Sequence, residues 1–415
     1  MATRSLKARA GIGAGKSAPG GVLTLNAGSS SIRFALFEGG SAERRILEGA
    51  IERIGTPGAR LSVNREGVAD APRPIQARDH RSAARHLLDW LQGDPLFAGV
   101  SSLGHRIVHG MRHSAPERVT PRLLSELRRL TPYDPDHLPI EIGLIEEVCV
   151  RLPAMPQVAC FDTAFHRSMP LVAKLLPIPW RYRAKGVERY GFHGLSYQFL
   201  MGELKRLGDG SAGRGRVVLA HLGNGASMAA VLRGKSIDTS MGFTPAAGLV
   251  MGTRSGDLDP GLLAYLARNG RMSASKFERM INHESGLLGI SGRSADMRDL
   301  LAGEGHDARS AVAVEVFCYQ ARKWMGAYAA ALGGLDTLVF AGGIGENAPQ
   351  VRARICEGLG FLGIRLDAAA NRRSAAVISG RGSPVVVRVM HTDEELMIAR
   401  SVRELLFPRS GGAPK

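Results

Sequence analysis

Two stretches of the chain, "VLTLNAGSSSIRFALF" at residues 22–37 and "VVLAHLGNGASMAAVL" at residues 217–232, align without a gap. Each has an apolar run interrupted by Asn26 or His221, a small-residue turn around Gly28 or Gly223, and a second apolar run. Aliphatic and β-branched runs bounded by Gly and Ser predict a strand, a turn and a strand in both copies. The copies start nearly half of the 415-residue chain apart. A duplication on that scale asks for two related units, and a chain of this length exceeds what one core of ordinary size holds. In a turn of Gly and Ser, consecutive backbone N–H groups and hydroxyls converge on one point and bind an anion. One such copy could equally be an ordinary hairpin, but two facing each other would hold a polyphosphate from both sides.

A third Gly-rich turn lies in "LDTLVFAGGIGENAPQVRARICEGL" (335–359). It reads as a buried strand delivering a glycine turn onto a helix N-terminus, where bare backbone can lie flat against a purine or sugar. By contrast "AGIGAGKS" (10–17), one substitution short of G-x-x-x-x-G-K-[ST], follows no strand, and Pro19, Gly20 and Gly21 stop any helix after it. A phosphate loop of that kind works only between a strand and a helix, so residues 1–21 are read as a disordered basic extension. Helical periodicity is plain at 81–92, 139–152, 260–269, 309–332 and 393–406, the last opening on Asp393, Glu394 and Glu395, acids suited to a first turn. No stretch of linker composition interrupts residues 22–408, so two α/β domains should pack closely with the site between them.

The net charge of +16 invites a nucleic-acid partner. Outside Arg4, Lys7, Arg9, Lys16 and residues 371–415 the charge is thinly spread, and aromatics are only 6%, with no basic stripe. The expectation is a diffuse field that draws in small anions, not nucleic acid. Four scattered cysteines without a C-x-x-C pair point to a reduced, cytoplasmic protein with no structural zinc. No apolar run reaches the roughly 18–20 residues of a membrane span, and the basic start lacks the apolar segment of a secretory signal.

Polar residues in apolar contexts mark the candidate chemistry, because a solitary buried charge is costly. Arg106 lies in "GHRIVHG", Asp162 ends the run "VACFD", His193 sits between Phe192 and Gly194, and Arg254 lies in "MGTRSGD". His105 and His109 fall in a strand-like context, where residues four apart are separated by about 13 Å, too far to share a metal. His193 alone could be a satisfied core histidine, and Asp162 alone a strand-end cap. Together with the phosphate turns they suit phosphoryl transfer, which asks for alignment and charge neutralisation more than covalent chemistry. Mg²⁺ takes one or two carboxylates plus phosphate oxygens, and Asp162 and Glu394 are the candidates.

Across residues 22–405 the chain resembles the acetate and short-chain carboxylate kinases of the actin-like phosphotransferase superfamily. The likeness rests on "NAGSSSIRFALF", "GHRIVHG", "FDTAFH", "YGFHGLS", "HLGNGAS", "GFTPAAGLVMGTRSGDLDP", "SGLLGISGRSADMRDL", "FAGGIGEN" and "HTDEELMIAR" taken jointly. It implies two duplicated actin-like (RNase H-like) α/β domains with an interdomain cleft: residues 22–164 plus 396–415, and a nucleotide-binding domain over 165–395. It implies reversible, ATP-dependent phosphorylation of acetate to acetyl phosphate and ADP in a homodimer, with Mg²⁺ as cofactor and Mn²⁺ as its alternative. Asn26 and Glu394 would hold the metal, with the Asp162 carboxylate near it. Arg106 would bind the substrate carboxylate, and Val108, Phe192 and Pro245 would line a pocket for the acyl methyl. His193 and Arg254 would stabilise the transition state. His221, Leu222, Gly223, Asn224 and Gly225 would cradle the ATP phosphates, with Arg33 after the serine turn. Asp296, Met297 and Arg298, with Gly343, Ile344, Gly345, Glu346 and Asn347, would surround the adenosine.

Four departures from the family pattern bear on acyl choice and leave the phosphoryl-transfer set intact. Arg33 stands where Lys is usual, which keeps the charge and changes the donor geometry. In "TPYDPDHLP" (131–139) Asp134 takes a histidine position with His137 nearby, Tyr133 replaces a pocket Leu, and Leu195 stands for Thr. Propionate or another short acid is the alternative substrate. A non-catalytic actin-like ATP-binding protein would share the three glycine turns but leave Arg106 and Arg254 unexplained. A sugar kinase could use Asp162 as base but has less use for an apolar pocket beside Arg106.

Overall fold

Each copy of the repeat seeds its own sheet in the computed structural model, which describes residues 20–40 and 43–408. Gly21–Ala27 (β1) and Ser31–Phe37 (β2) pair antiparallel. Arg45–Glu52 (β3), Arg60–Arg65 (β4), Val68–Ala69 (β5), Arg73–Pro74 (β6), Val100–Ile107 (β7), Glu117–Arg118 (β8) and Gln157–Phe161 (β9) complete a nine-stranded sheet. Its order is β5-β4-β3-β2-β1-β7-β9-β8, with β6 beside β4. Arg216–Leu222 (β10), Ala226–Leu232 (β11), Lys235–Thr239 (β12), Thr337–Ala341 (β13) and Val386–Val389 (β14) form a five-stranded sheet ordered β12-β11-β10-β13-β14. In both sheets the repeated hairpin meets an antiparallel strand on one side and parallel strands on the other: β3, then β7 and β9, in the first; β12, then β13 and β14, in the second. The protein is two-lobed and α/β, as the repeat predicts.

The alignment of the two hairpins needs one correction. Ala27 pairs with Ile32 across the first turn, whereas Leu222 pairs with Ala226 across the second. The second turn is one residue shorter, so Arg33, opposite Asn26, corresponds to Ser227, opposite His221. A one-residue shift reverses the face of every side chain beyond the turn, so the gap changes which residues of β11 look into the site.

Three apolar layers hold the lobes. The helices His80–Gln92 and Leu138–Arg151 pack Leu87, Leu88, Leu91, Leu144 and Val148 on the outer face of the first sheet. The 25-residue helix Ala308–Leu332 covers the outer face of the second. Between the sheets lie Gly194–Arg206 and Glu394–Leu406, whose Leu200, Leu204, Ile398 and Val402 share one core with Val22 and Val158 of the first sheet and Val217 and Val339 of the second. Burying ten or so aliphatic side chains here, at about 1.5–3 kcal/mol each before the entropy cost, docks the lobes firmly. The predicted helices at 81–92, 139–152, 260–269, 309–332 and 393–406 are observed as His80–Gln92, Leu138–Arg151, Gly261–Gly270, Ala308–Leu332 and Glu394–Leu406. Asp393 caps the last by accepting the Leu396 N–H at 2.9 Å. The expected domain break between 395 and 396 falls inside that helix's first turn. Residues 10–17 and the rest of the basic extension through residue 19 lie outside the described residues, while Gly21 opens β1. Among the described residues no helix is long and apolar enough to cross a membrane.

Candidate active site

Period-two alternation decides which way the polar residues of each strand look. In β1, Leu23, Leu25 and Ala27 enter the outer core and Val22 the layer between the sheets, so Asn26 shares Val22's inward parity. In β2, Phe34 and Leu36 point outward, Ala35 and Phe37 inward, and Arg33 lies with the latter. His221 and Ser227 share the inward parity of Leu219 and Ala229. In β7, Gly104 faces the helix Glu394–Leu406 so closely that a Cβ there would lie 2.3 Å from Ile398 Cγ2, and Arg106 shares that side. Asp162, the residue after β9, shares it with Val158 and Cys160. Both sheets thus aim their strand-end polar residues into the space between the lobes.

On the first lobe these side chains are bonded to one another. Arg106 donates from Nε and Nη2 to Asp162 Oδ2 at 3.0 and 2.6 Å and from Nη1 to Asn26 Oδ1 at 3.2 Å. Asn26 Nδ2 in turn donates to Glu394 Oε2 and Glu395 Oε1, both at 3.2 Å. Asp162 is fully buried, and its Oδ1 has no hydrogen-bond partner among the described residues. Burial works against the Arg106 charge, but Asp162 and Glu394 outweigh it and raise its pKa. Burial also raises the carboxyl of Glu394, against the pull of Arg106.

On the second lobe, His193 has φ +58°, in the left-handed region that a non-glycine residue enters at a cost of about 1–2 kcal/mol. It is held there by Ser227 Oγ, 2.8 Å from its Nδ1, and by stacking on His221 with centroids 4.3 Å apart. The following Gly194 is required: a Cβ would lie 1.9 Å from the Asp162 carbonyl oxygen. Burial, then the charge His221 carries when protonated and those of Arg106 and Arg254, push the His193 pKa well below its usual range. His221 is pushed down to about 4, again chiefly by burial. Both rings are neutral at pH 7. Arg254 has no carboxylate within ion-pair distance among the described residues; its Nη1 reaches the Pro245 carbonyl at 3.5 Å and Met251 Sδ at 3.8 Å. A Cβ built on Gly225 would lie 3.5 Å from His193 Nε2 and 3.6 Å from Arg254 Nη1, so both groups flank the open phosphate turn.

The nucleotide candidates gather around that turn. A Cβ on Gly223 would lie 4.0 Å from the Gly343 nitrogen, and Gly252 N–H donates to the Asn224 carbonyl at 2.9 Å while sitting close to the Ala295 carbonyl. The "GGIGEN" stretch is itself the helix Gly342–Asn347, so the glycines form its body where the sequence suggested a turn ahead of it. Glu346 accepts the Gly342 N–H and faces His391, and Asn347 donates to the Gly343 carbonyl, which turns both side chains onto their own backbone. The buried Arg352 spans from the Gly345 and Glu346 carbonyls to Asn371 and Ser374 and fixes this helix from behind. Asp296, half-buried, caps the helix Met297–Gly303 and pairs with the exposed Arg298 at 2.6 Å. Met297, expected beside adenosine, puts its side chain into the second lobe's core, as do Leu222 and part of Ile344.

Val108 and Phe192 are buried together in one cluster, while the half-buried Pro245 meets Arg254 through its carbonyl. An aromatic wall continues from them: His109 meets Phe192, Tyr190 and Tyr133 at 5.4, 4.7 and 6.2 Å, and Tyr133 meets Phe243 at 5.7 Å. Asp134 is buried and bonded to His137 at 2.8 Å, with Oδ2 unpartnered. Leu195 is absorbed in the interlobe core. Glu141, which lies in the predicted helix at 139–152 and was not singled out from the sequence, is buried and accepts the Val108 N–H through both oxygens at 3.1 Å. β7 ends at Ile107 and leaves that N–H without a strand partner, a signal readable only once the strand end is known. His105 and His109 have separate partners, Gln157 and the Met111 N–H. Among the described residues no three His, Cys, Asp or Glu side chains converge as a metal site. The oxygens of Asn26, Asp162 and Glu394, with Asp162 Oδ1 buried and unpartnered, fit a hard cation that also takes phosphate oxygens.

The Acetokinase family profile matches residues 21–400. The chain is 44% identical over 392 residues to the acetate kinase of Rhodopseudomonas palustris, covering 92% of this chain and 98% of that protein. Its structure superposes on the acetate kinase of Porphyromonas gingivalis with a TM-score of 0.84 at 36% identity, covering 93% of this chain and all of that one. It superposes equally on a propionate kinase of Francisella tularensis, with a TM-score of 0.86 at 36% identity, covering 92% and 98%. The chain belongs to the acetokinase family of phosphotransferases.

Proposed function

We propose that this enzyme reversibly transfers the γ-phosphoryl group of ATP to the carboxylate of acetate, giving acetyl phosphate and ADP. The observation that carries the reading is the unpaired Arg254 beside His193 at the Gly225 turn, facing the bonded set of Arg106, Asp162, Asn26 and Glu394. A carboxylate acceptor is already ionised, so it needs a cationic clamp and no general base. Arg106 supplies that clamp, with Val108, Phe192 and Pro245 around the acyl methyl. In line transfer then forms a carboxylate O–P bond while the bond between the γ-phosphorus and the bridging oxygen breaks, its electron pair leaving with ADP.

Arg254 and His193 would meet the charge on the equatorial oxygens, a reading supported by their nearness to the Gly225 turn. Tyr197 Oη lies 2.5 Å from Ser227 Oγ, which lies 2.8 Å from His193 Nδ1. With Tyr197 donating to Ser227 and Ser227 to Nδ1, the proton of the neutral ring sits on Nε2 and points to the turn. Asn26, Asp162 and Glu394 would hold Mg²⁺, or Mn²⁺, which supplies charge neutralisation to the phosphates when bound. His221 to Gly225 with Arg33 would take the phosphates, and Asp296 to Arg298 with Gly343 to Asn347 the adenosine. The two-domain division at 164/165 and 395/396 and a homodimer belong to the same proposal; sedimentation tests the latter.

Hydroxylamine trapping of acyl phosphate with acetate, propionate and butyrate tests the reading. Acetate is expected to give the highest kcat/KM. Product only from propionate favours the second reading, which the equal likeness to a propionate kinase supports. No product from any of the three acids overturns both.

A further inference from the structure

His221 is oriented from behind by the hydroxyls of Ser196 and Thr392, to which the proposed reaction gives no part. Thr392 Oγ1 donates to Ser196 Oγ at 2.7 Å, and Ser196 Oγ lies 2.8 Å from His221 Nδ1. A serine hydroxyl has one proton to give. With Thr392 donating to Ser196, His221 Nδ1 is the one partner left among the described residues that can accept the Ser196 proton, and the ring proton of the neutral imidazole is then left on Nε2. That nitrogen faces the phosphate hairpin: a Cβ on Gly223 would lie 3.9 Å from it. Ser196 is fully buried at the start of the helix Gly194–Arg206, and Thr392 lies in the segment that joins β14 to the helix Glu394–Leu406. The donor is therefore set by the starts of the two helices that form the interlobe layer, and the same logic runs through Tyr197 and Ser227 to His193.

We infer that Ser196 and Thr392 are positioning residues that lock His221 as an Nε2–H donor aimed at the nucleotide phosphates. The inference rests on the proposed placement of those phosphates at the Gly223 turn. Removing the Ser196 hydroxyl leaves a buried Nδ1 without its donor, so the ring proton redistributes between the two nitrogens.

The test is the ¹⁵N spectrum of histidine-labelled full-length protein, with kinetics in parallel. In the unsubstituted protein His221 is expected as the Nε2–H tautomer, assigned by its loss in His221→Gln. Ser196→Ala should shift it to a tautomer mixture and raise the ATP KM about tenfold while the acid KM stays within twofold. Thr392→Val, which keeps the shape of the side chain, should move both readouts the same way by a smaller factor. A His221 that is Nδ1–H in the unsubstituted protein, or that keeps Nε2–H in both variants, overturns the inference, as does an unchanged ATP KM. Should the unsubstituted protein form no acyl phosphate while the tautomer responds as stated, the proposed reaction fails and the relay stands, with ATP affinity by calorimetry replacing the KM.

Discussion

Arg106 grips Asp162 with two guanidinium nitrogens at 3.0 and 2.6 Å across the neighbouring parallel strands β7 and β9. The carboxylate is fully buried and the arginine nearly so. Removing one partner of such a pair strands a charge in the interior and typically costs about 3–5 kcal/mol. Asp162→Ala should therefore destabilise the protein by about that amount and abolish turnover. Arg106→Ala should do the same, and the double variant should lose much less than the sum, because neither charge is then left alone. Urea unfolding of the three variants checks this; additive losses would show that the pair is not coupled.

Arg254 is the opposite case. It is half-buried without a carboxylate partner among the described residues, and desolvation lowers its pKa, so holding the charge there weakens the fold. Arg254→Ala should leave the melting temperature unchanged or raise it, while lowering kcat by roughly 10²–10³-fold, the usual loss for one transition-state donor. A variant that melts early with its kcat intact would assign Arg254 to structure.

Gly343 separates packing from ligand approach. A Cβ there meets nothing within 4 Å, and its φ is not positive, so Gly343→Ala should fold with unaltered stability and still raise the ATP KM several-fold if adenosine lies against that backbone. Gly194→Ala is the control that should fail to fold, because its Cβ would strike the Asp162 carbonyl. An unchanged ATP KM in Gly343→Ala removes this helix from the nucleotide site.

Acid should destabilise the fold in Mg²⁺-free buffer. His105, His109, His166 and His221 are each pushed down from 6.5 to about 4, mainly by burial, and His193 is lowered too. As pH falls below 6.5 the unfolded chain takes up these protons before the folded one does, so their contribution is complete above that value and is lost toward pH 4. Glu141, Glu394 and Glu395 act in the other direction: burial raises their carboxyls, so their contribution is present at low pH and lost as pH rises through their folded values. The histidines outnumber them. The urea midpoint should fall between pH 7 and pH 5, as the unfolding free energy drops by about 1.4 kcal/mol per pH unit for each net proton. A midpoint that holds or rises on acidification contradicts the burial of these rings in neutral form.

The repeat was legible because a strand, a small-residue turn and a strand leave a local pattern, and both hairpins formed where that pattern lies. Their turn lengths were not legible: Gly28 to Ser31 and Gly223 to Gly225 are both runs of small residues, and only the pairing register shows the missing residue. Asn26, Arg106, Asp162 and Glu394 could be named from their contexts, and one hydrogen-bonded set contains all four. Ser196, Ser227, Tyr197 and Glu141 could not. Ser196 and Ser227 close two of the quoted motifs, and Tyr197 and Glu141 lie in helical stretches, but no local pattern shows a hydrogen-bond partner; these roles arise when separate segments pack together.

Tyr133 closes one side of the aromatic wall that continues the proposed acyl pocket. Its ring contacts Phe243 and His109, at 5.7 and 6.2 Å, and its hydroxyl donates to the Lys185 carbonyl at 2.9 Å, tying a first-lobe turn to the second lobe. Tyr133→Leu removes both the bulk and the tie, so the wall recedes. One methylene in a hydrophobic pocket is worth about 1–3 kcal/mol of discrimination, and the kcat/KM ratio of propionate to acetate should therefore rise about tenfold or more. Tyr133→Phe keeps the ring and loses only the tie; its ratio should stay within about threefold of the unsubstituted protein. If Phe shifts the ratio as far as Leu does, the hydroxyl tie sets acyl preference. If neither does, the wall lies outside the acyl pocket and Val108, Phe192 and Pro245 bound it alone.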